Sequence, residues 1–265
     1  METTNWPLDD IWTLLGRRGI RFEDHVLLAE VGSTVHGINV SDQDDLDLTL
    51  VRVEPWYEFA NAFSFGDKQS AMVRTKPDGE RSMPGDLDIN VYTVRKFAKL
   101  MASGNPSIMT AFFSPKVDEC QFWLDRKRGL LQYSASQRAG QAFKGYMKQQ
   151  LERWVGERGQ KNVNRPELVE KYGFDTKYAG HIVRLGLQGI EFMETGKFSL
   201  PMDPDQAELI RGIRTGKYTQ QEALDMAYDV EDRLLRAIEA TTLPANPNME
   251  RVHSWVAKFY EDWYT

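Results

Sequence analysis

The sequence predicts an α+β fold, in which a small mixed β-sheet with flanking helices is followed by an all-helical C-terminal domain. Strand-like apolar runs and alternations are confined to the part of the chain before Pro115, and helical spacing of apolar residues dominates afterwards. We therefore expect two domains, residues 1–118 and 119–265, with the join somewhere in residues 115–125.

The N-terminal region is predicted to begin with a helix and continue into a strand. Apolar residues recur at helical spacing from Leu8 to about Arg18. The run His25–Val31 is apolar and rich in strand formers, and it ends at Gly32-Ser33. We expect a buried strand there, followed by a tight turn.

Two later segments alternate strictly between apolar and polar residues. Asp45–Val53 begins with leucines on one face and carboxylates on the other, and Asp86–Tyr92 repeats that pattern. The stretch between them, Lys76–Gly85, contains prolines and glycines among charged residues, which predicts an exposed loop that could act as a flap. If the two strands are neighbours in one sheet, their acids lie on a common side.

Helical spacing begins after Thr93 and stops first at Gly104-Asn105-Pro106. Further helices are predicted, separated by turn residues, over about 134–155, 176–194, 204–214, 219–240 and 249–263.

Composition limits the classes of function. A formal net charge of -6 disfavours a protein that coats nucleic acid by bulk charge, so a polyanion must meet a local basic patch. The single cysteine, Cys120, excludes an internal disulfide framework and is typical of a reducing compartment. No apolar run approaches the roughly 20 residues that span a bilayer, and the first residues do not resemble a secretory signal. We expect a cytoplasmic protein without a membrane partner.

The acidic alternation is the strongest local indication of function. Like charges on adjacent strands are costly unless a cation compensates them, and Mg²⁺ prefers hard oxygen ligands. Asp45 and Asp47, two residues apart on one strand, can both reach one metal ion. The alternative is the solvent face of an antiparallel strand. Aspartate is a poor strand former, however, which favours a metal site.

The turn at Gly32-Ser33 is a candidate phosphate contact. A tight turn directly after a strand lets backbone N–H groups and a hydroxyl approach an anion. Gly-Ser alone is a weak signal. Its order before Asp45-Leu46-Asp47 strengthens it.

The helical region contains a second candidate constellation. Lys177, His181, Arg184 and Gln188 fall at spacings that place them on one helix face. Such a face could bind a triphosphate, or it could simply be a solvated surface. Lys144, in Lys144-Gly145-Tyr146, is a weaker nucleotide-binding candidate, and packing of the tyrosine into the helices is the alternative.

These motifs resemble the DNA polymerase beta-like nucleotidyltransferase superfamily, whose members carry Gly-Ser, a spacer, Asp-x-Asp and a third Asp on a later strand. Here these are Gly32-Ser33, Asp45-Leu46-Asp47 and Asp88. More narrowly, three segments are similar to bacterial and phage predicted nucleotidyltransferases related to the RNA-ligase-associated branch: 88–115, 164–201 and 241–256.

Two positions depart from the family pattern. An aspartate, Asp44, stands where the family usually has serine, so it is an alternative first ligand, and Asp86 competes with Asp88. Asp88 is preferred because the resemblance places the acid in the DINVY segment.

The resemblance implies two-metal transfer of a nucleoside monophosphate from a nucleoside triphosphate to a hydroxyl, with release of pyrophosphate. Asp45, Asp47 and Asp88 would be metal ligands and catalytic residues for Mg²⁺ or Mn²⁺. Gly32, Ser33, Lys177, His181 and Arg184 would bind the nucleotide, and Lys144 is the weaker candidate taken from its position on the long helix. The acceptor could be an RNA or DNA end, a protein or a small molecule. The alternatives are an inactive module with the same fold and a two-metal phosphohydrolase.

Overall fold

The computed structural model describes residues 6–40, 45–60, 69–77, 80, 82–83, 85–155 and 165–265. Within these ranges a mixed sheet lies in the N-terminal part and most of the remaining chain is helical. The predicted α+β fold is confirmed.

The sheet has the strand order β3-β4-β2-β1-β5. Its strands are β1 (His25–Val31), β2 (Leu46–Arg52), β3 (Ser70–Arg74), β4 (Leu87–Thr93) and β5 (Val117–Glu119). The pairs β1–β2, β1–β5 and β3–β4 are antiparallel, whereas β2 and β4 run parallel. The two alternating segments of the sequence are therefore adjacent strands, as the predicted site requires.

The described helices are α1 (Leu8–Gly16), α2 (Trp56–Ala60), α3 (Val94–Ala102), α4 (Pro106–Phe113), α5 (Gln121–Ser134), α6 (Gln137–Val155), α7 (Pro166–Tyr172), α8 (Thr176–Thr195), α9 (Pro204–Arg214), α10 (Gln220–Ala240) and α11 (Met249–Tyr264). Each is too short or too polar to cross a bilayer.

Local sequence explains the sharp starts of the later helices. Asp203 caps α9 by accepting hydrogen bonds from the next turn, and Pro204 occupies its first position. Thr219 and Glu222 form a reciprocal capping box at α10. The starts predicted for α9 and α10 therefore agree with the structure to within one residue.

Two hydrophobic cores cover the two faces of the sheet. On one face, Leu48, Leu50 and Ile89 pack with Ile11 and Leu15 of α1. On the other, Val51 joins a larger core that continues through α3 and α4 into the C-terminal helices. Because side chains alternate along a strand, residues 47 and 49 share the second face with Val51. The acids therefore point toward the helical part of the protein.

The predicted division at 118/119 falls inside β5, which pairs with β1. The larger core also contains residues from both sides of that position. A division of the chain into two domains stays a prediction.

Candidate functional site

Three carboxylates converge at one end of the parallel pair. Asp47 on β2 is directly opposite Asp88 on β4, and Asp45 immediately precedes β2. One oxygen from each of Asp45, Asp47 and Asp88 can be chosen such that all lie within 4.8 Å of one another. The three side chains are partly exposed, so an ion could reach them. This all-oxygen donor set fits Mg²⁺ or Mn²⁺.

Gly32 forms the wall beside Asp47. It follows β1, whose last residue, Val31, pairs with Asp47. Gly32 has φ +90°, and a Cβ built there would lie 2.7 Å from Asp47 Oδ2. Only glycine combines that backbone conformation with that close approach. The Gly-Ser turn is thus fixed against the acidic group, and Ser33 lines a cavity that Asp45 and Asp47 also line.

Asp88 has protein partners on its other side. Arg74 of β3 is its cross-strand neighbour, and Arg74 Nε donates to Asp88 Oδ1 at 2.9 Å. Ser82 Oγ donates to Asp88 Oδ2 at 2.6 Å, and Arg74 Nη2 also contacts Ser82 Oγ at 2.7 Å. The orientation of the Asp88 carboxylate is therefore set by Arg74 and by the segment that leads into β4.

The rival Asp86 serves the turn before β4. Its carboxylate accepts a hydrogen bond from Met83 N at 2.6 Å and lies 3.0 Å from Lys76 Nζ. These two donors, the backbone N–H first, lower the pKa of Asp86 below its ordinary value. Asp86 is not in the acidic group formed by the described residues. The other rival, Asp44, lies outside the described residues.

A cavity of about 350 Å³ opens beside Asp45 and Asp47, and Asp88 is not among its lining residues. Apart from the aliphatic residues Val31, Ile38, Ile108 and Leu185, its lining falls into three parts. The acidic end contains Gly32, Ser33, Asp45 and Asp47; the basic wall contains His36, Lys177, His181, Arg184 and Arg214; and the neutral end contains Thr49, Asn90, Tyr92, Pro106, Ser107, Thr110 and Tyr146.

Apart from His36, the basic wall comes from α8 and α9. Lys177, His181 and Arg184 share one face of α8, as their spacing predicts, and all three line the cavity. Arg214, the last residue of α9, packs across Gly180, where a Cβ would lie 2.9 Å from Arg214 Cγ. A small residue on α8 thus lets a second guanidinium reach the cavity.

The wall's ionisation is shaped by burial and by mutual repulsion. Burial, and then the charge of Arg184, lowers the pKa of His181 to about 3. Burial and Arg214 lower the pKa of Arg184 to about 10, so this guanidinium stays charged at neutral pH. Burial also holds the pKa of His36 well below its ordinary value. The charge of the wall is therefore carried by Lys177 and the arginines, while the histidines are neutral.

Lys144 is not among the residues that line the cavity, whereas Tyr146 is. Residues two positions apart on a helix are separated by more than half a turn, so the side chains of Lys144 and Tyr146 point in different directions. Tyr146 Oη accepts a hydrogen bond from Asn105 Nδ2 at 2.9 Å.

Sequence reasoning did not single out His36 or Arg214. A lone histidine in an irregular segment carries no periodic signal. An arginine in the last turn of a helix is ordinarily explained by the helix dipole. Only the fold brings both residues to the wall.

A mixed sheet with a Gly-Ser turn, in-register acids and a helical C-terminal part defines a nucleotidyltransferase-like protein of the polymerase beta type. The model of the family described as "RNA repair pathway DNA polymerase beta family" matches residues 21–257, and the chain belongs to that family.

The other comparisons add little to this. A nucleotidyltransferase-like protein from Exiguobacterium sibiricum 255-15, known from a crystal structure, is similar at 10% identity and a TM-score of 0.30. The match covers 94% of this chain and 78% of that one. No curated protein matches the chain.

Proposed function

We propose that this protein is a metal-dependent nucleotidyltransferase that transfers a nucleoside monophosphate from a nucleoside triphosphate to a hydroxyl acceptor. The observation that carries the proposal is the group formed by Asp45, Asp47 and Asp88, of which Asp45 and Asp47 line one cavity together with the Gly32-Ser33 turn and a basic wall. Metal-binding acids and a charged phosphate cradle are what phosphoryl transfer needs, because positioning and electrostatics supply most of its rate.

In this proposal each part of the cavity has one task. Asp45 and Asp47, with Asp88, hold the divalent ions, Mg²⁺ or Mn²⁺, which neutralise charge on the phosphates when bound. Ser33, Lys177 and Arg184 bind the β- and γ-phosphates, and His181 orients Arg184. Lys144 lies outside the lining and is the least supported of the proposed nucleotide contacts.

The chemistry is an in-line displacement at the α-phosphorus. The acceptor oxygen forms a bond to phosphorus while the bond to the β-phosphate oxygen breaks, and pyrophosphate leaves. Asp88 accepts the proton of the acceptor hydroxyl, or holds that hydroxyl in line. Arg74 and Ser82 fix the carboxylate of Asp88 for this task.

The neutral end of the cavity suits the nucleoside. Tyr92 and Tyr146 supply aromatic surface there, and Asn90 and Thr110 supply uncharged hydrogen-bonding groups. Planar bases stack on aromatic side chains and are read by neutral donors and acceptors. We place the sugar and base at this end, because the phosphates belong between the acids and the basic wall.

The family's description, which names an RNA repair pathway, favours an RNA end as the acceptor over a protein or a small molecule. The chain's net charge of -6 requires that RNA meet a local patch of the surface.

The test follows label from each α-labelled nucleoside triphosphate, with Mg²⁺ or Mn²⁺, in the presence of RNA, DNA or protein. Label on RNA together with pyrophosphate supports the proposal. Free phosphate without transfer would indicate a phosphohydrolase, and inertness under all conditions would indicate a binding module. The variants Asp45→Asn and Asp47→Asn should be inactive, whereas Asp229→Asn, on the exposed face of α10, should match the wild type.

A further inference from the structure

His36 joins the Gly-Ser segment to the basic wall. It is 3% exposed and lies four residues after Gly32. Its Nε2 is 2.8 Å from Arg184 Nη1, and its Nδ1 is 3.1 Å from Gln188 Nε2. Both ring nitrogens therefore face α8, although His36 and these partners are about 150 residues apart in sequence.

The hydrogen-bonding roles follow from the chemistry of the guanidinium. Arginine only donates, so His36 Nε2 and His181 Nδ1 must accept from Arg184, at distances of 2.8 and 2.9 Å. Neutral His36 then carries its proton on Nδ1, which faces the side-chain amide of Gln188, and Gln188 Oε1 lies 2.8 Å from Arg184 Nη1. A ring nitrogen that accepts carries no proton. The depressed pKa values of His36 and His181 agree with this arrangement.

Neutral acceptors hold Arg184 without cancelling its charge. In the described part of the chain, no carboxylate pairs with Arg184, whereas Arg52, Arg74 and Arg95 each pair with an acid. A guanidinium paired with an acid would attract an anion less, since the two side chains together are neutral. The surroundings of Arg184 thus orient the group and leave its charge available to the cavity.

The same segment is bonded to the helices through its backbone. Met202 N donates to His36 O at 3.1 Å, Arg211 donates to Gly37 O, and Arg214 donates to Ile38 O. The chain that follows Gly32-Ser33 is therefore attached to α9 and to the segment before it. The acidic side and the basic side of the cavity are held at a fixed separation.

We propose that His36 is a positioning residue that holds the uncancelled charge of Arg184 toward the cavity and joins the Gly32-Ser33 turn to the basic wall, to bind an oligophosphate. This inference rests on the proposed function, since the triphosphate of the nucleotide is that oligophosphate. It adds to that function a residue which touches neither the ions nor the reacting atoms.

Three substitutions of His36 distinguish its effect on the charge of Arg184 from its effect on packing. His36→Gln keeps a neutral acceptor for Arg184, and His36→Phe keeps the ring volume without an acceptor. His36→Glu supplies a carboxylate, which stabilises Arg184 structurally and cancels its charge. The readouts are the Kd for inorganic tripolyphosphate, measured calorimetrically without acceptor or turnover, and the Tm of each variant.

The inference predicts that His36→Phe weakens tripolyphosphate binding about 10-fold, as expected for the loss of one hydrogen bond to a charged group. His36→Gln should restore affinity to near that of the wild type. His36→Glu should bind at least as weakly as His36→Phe while keeping a Tm as high as that of His36→Gln. A role in packing alone predicts instead that affinity follows Tm across the series, and that result would overturn the inference.

Gln188→Glu serves as a further variant in case His36→Glu does not fold. It places a carboxylate beside the same guanidinium from α8, and it should weaken tripolyphosphate binding in the same way. Wild-type affinity in that variant would count against the inference.

The outcomes also separate this inference from the proposed function. If the protein transfers no nucleotide but the Kd values for tripolyphosphate change among the His36 variants as predicted, the proposed function fails and the role of His36 stands. If nucleotide is transferred but the Kd values do not change in this way, or the wild type binds no tripolyphosphate, the role of His36 fails.

Discussion

The carboxylate of Asp47 lies against the backbone of Gly32, so closely that a Cβ at position 32 would be 2.7 Å from Asp47 Oδ2. Gly32, in the turn proposed to bind phosphate, is thus also the residue that leaves space for the carboxylate of Asp47, a candidate metal ligand. The two motifs, separated in sequence, form one structural unit.

Gly32→Ala tests this relationship. We expect two effects: a loss of about 1–3 kcal/mol in the free energy of unfolding, because φ +90° strains a non-glycine residue, and displacement of Asp47. Displacement of a catalytic group by about 1 Å can lower activity by about 100-fold. Urea unfolding and transfer rates measure the two effects.

Gly19→Ala is the matched control. Gly19 also has a positive φ, +72°, but a Cβ there meets nothing within 4 Å. It should lose stability and keep activity. Equal activity losses in the two variants would show that strain alone, without contact to Asp47, explains the effect.

Arg74→Ala tests whether a divalent ion binds at Asp88. Arg74 and Asp88 are 12% and 15% exposed at their side chains, so removing the arginine leaves a largely buried carboxylate without its ion-pair partner. We expect a loss of about 1–3 kcal/mol in stability. Millimolar Mg²⁺ should restore part of this, because the ion replaces the guanidinium. The measurement is Tm with and without Mg²⁺.

Arg52→Ala is the comparison variant, because Arg52 pairs with Glu58 at the far end of β2. Mg²⁺ should raise its Tm no more than that of the wild type. If Mg²⁺ stabilises both variants equally, the ion does not act at Asp88.

The neutral histidines predict a pH dependence of stability. The folded-state pKa of His181, about 3, is below its ordinary value of 6.5, so between these values the unfolded state binds more protons. The free energy of unfolding therefore falls as pH falls through this window, by up to about 1.4 kcal/mol per pH unit for each such histidine. His181→Asn should flatten the profile of chemical unfolding measured from pH 7 to pH 4. An unchanged slope would mean that His181 is already protonated in the folded protein.

Tyr260→Phe tests the attachment of the C-terminal helix. Glu54 is 3% exposed, its Oε2 accepts from Tyr260 Oη, and its Oε1 lies 2.8 Å from Arg95 Nε. Removing the hydroxyl leaves a buried carboxylate oxygen without this donor, at a cost of about 1–3 kcal/mol. Activity should not change, since this contact lies at the opposite end of β2 from the acids. Tyr228→Phe, at an exposed position of α10, should leave the urea midpoint unchanged, and equal midpoints for both variants would contradict the account.

Sequence reasoning succeeded where one local pattern determines the structure. Leucines 46, 48 and 50 fix the face of β2 and therefore the direction of Asp45 and Asp47. Similarly, the caps at Asp203 and Thr219 fix the starts of two helices. The alternation at 86–92 identified β4, but not its parallel register with β2, which depends on contacts between distant segments.

The elements and residues that were not predicted from the sequence lack such local patterns. β5 has only three residues, and α5 interrupts its apolar positions with the charged run 125–128. His36 has partners about 150 residues away, so no sequence window contains its role. Of the Lys144-Gly145-Tyr146 motif, Tyr146 lines the cavity and Lys144 does not, and nucleotide binding by Lys144 stays a prediction.

The proposed metal site is tested most directly by the rate of label transfer from an α-labelled nucleoside triphosphate to RNA, compared between the wild type and Asp47→Asn. Loss of an outer-shell partner typically costs about 10- to 100-fold, so loss of a ligand should lower the rate by about 100-fold or more while the Tm without metal stays near that of the wild type. Transfer by Asp47→Asn at the wild-type rate would contradict the role of Asp47 as a metal ligand.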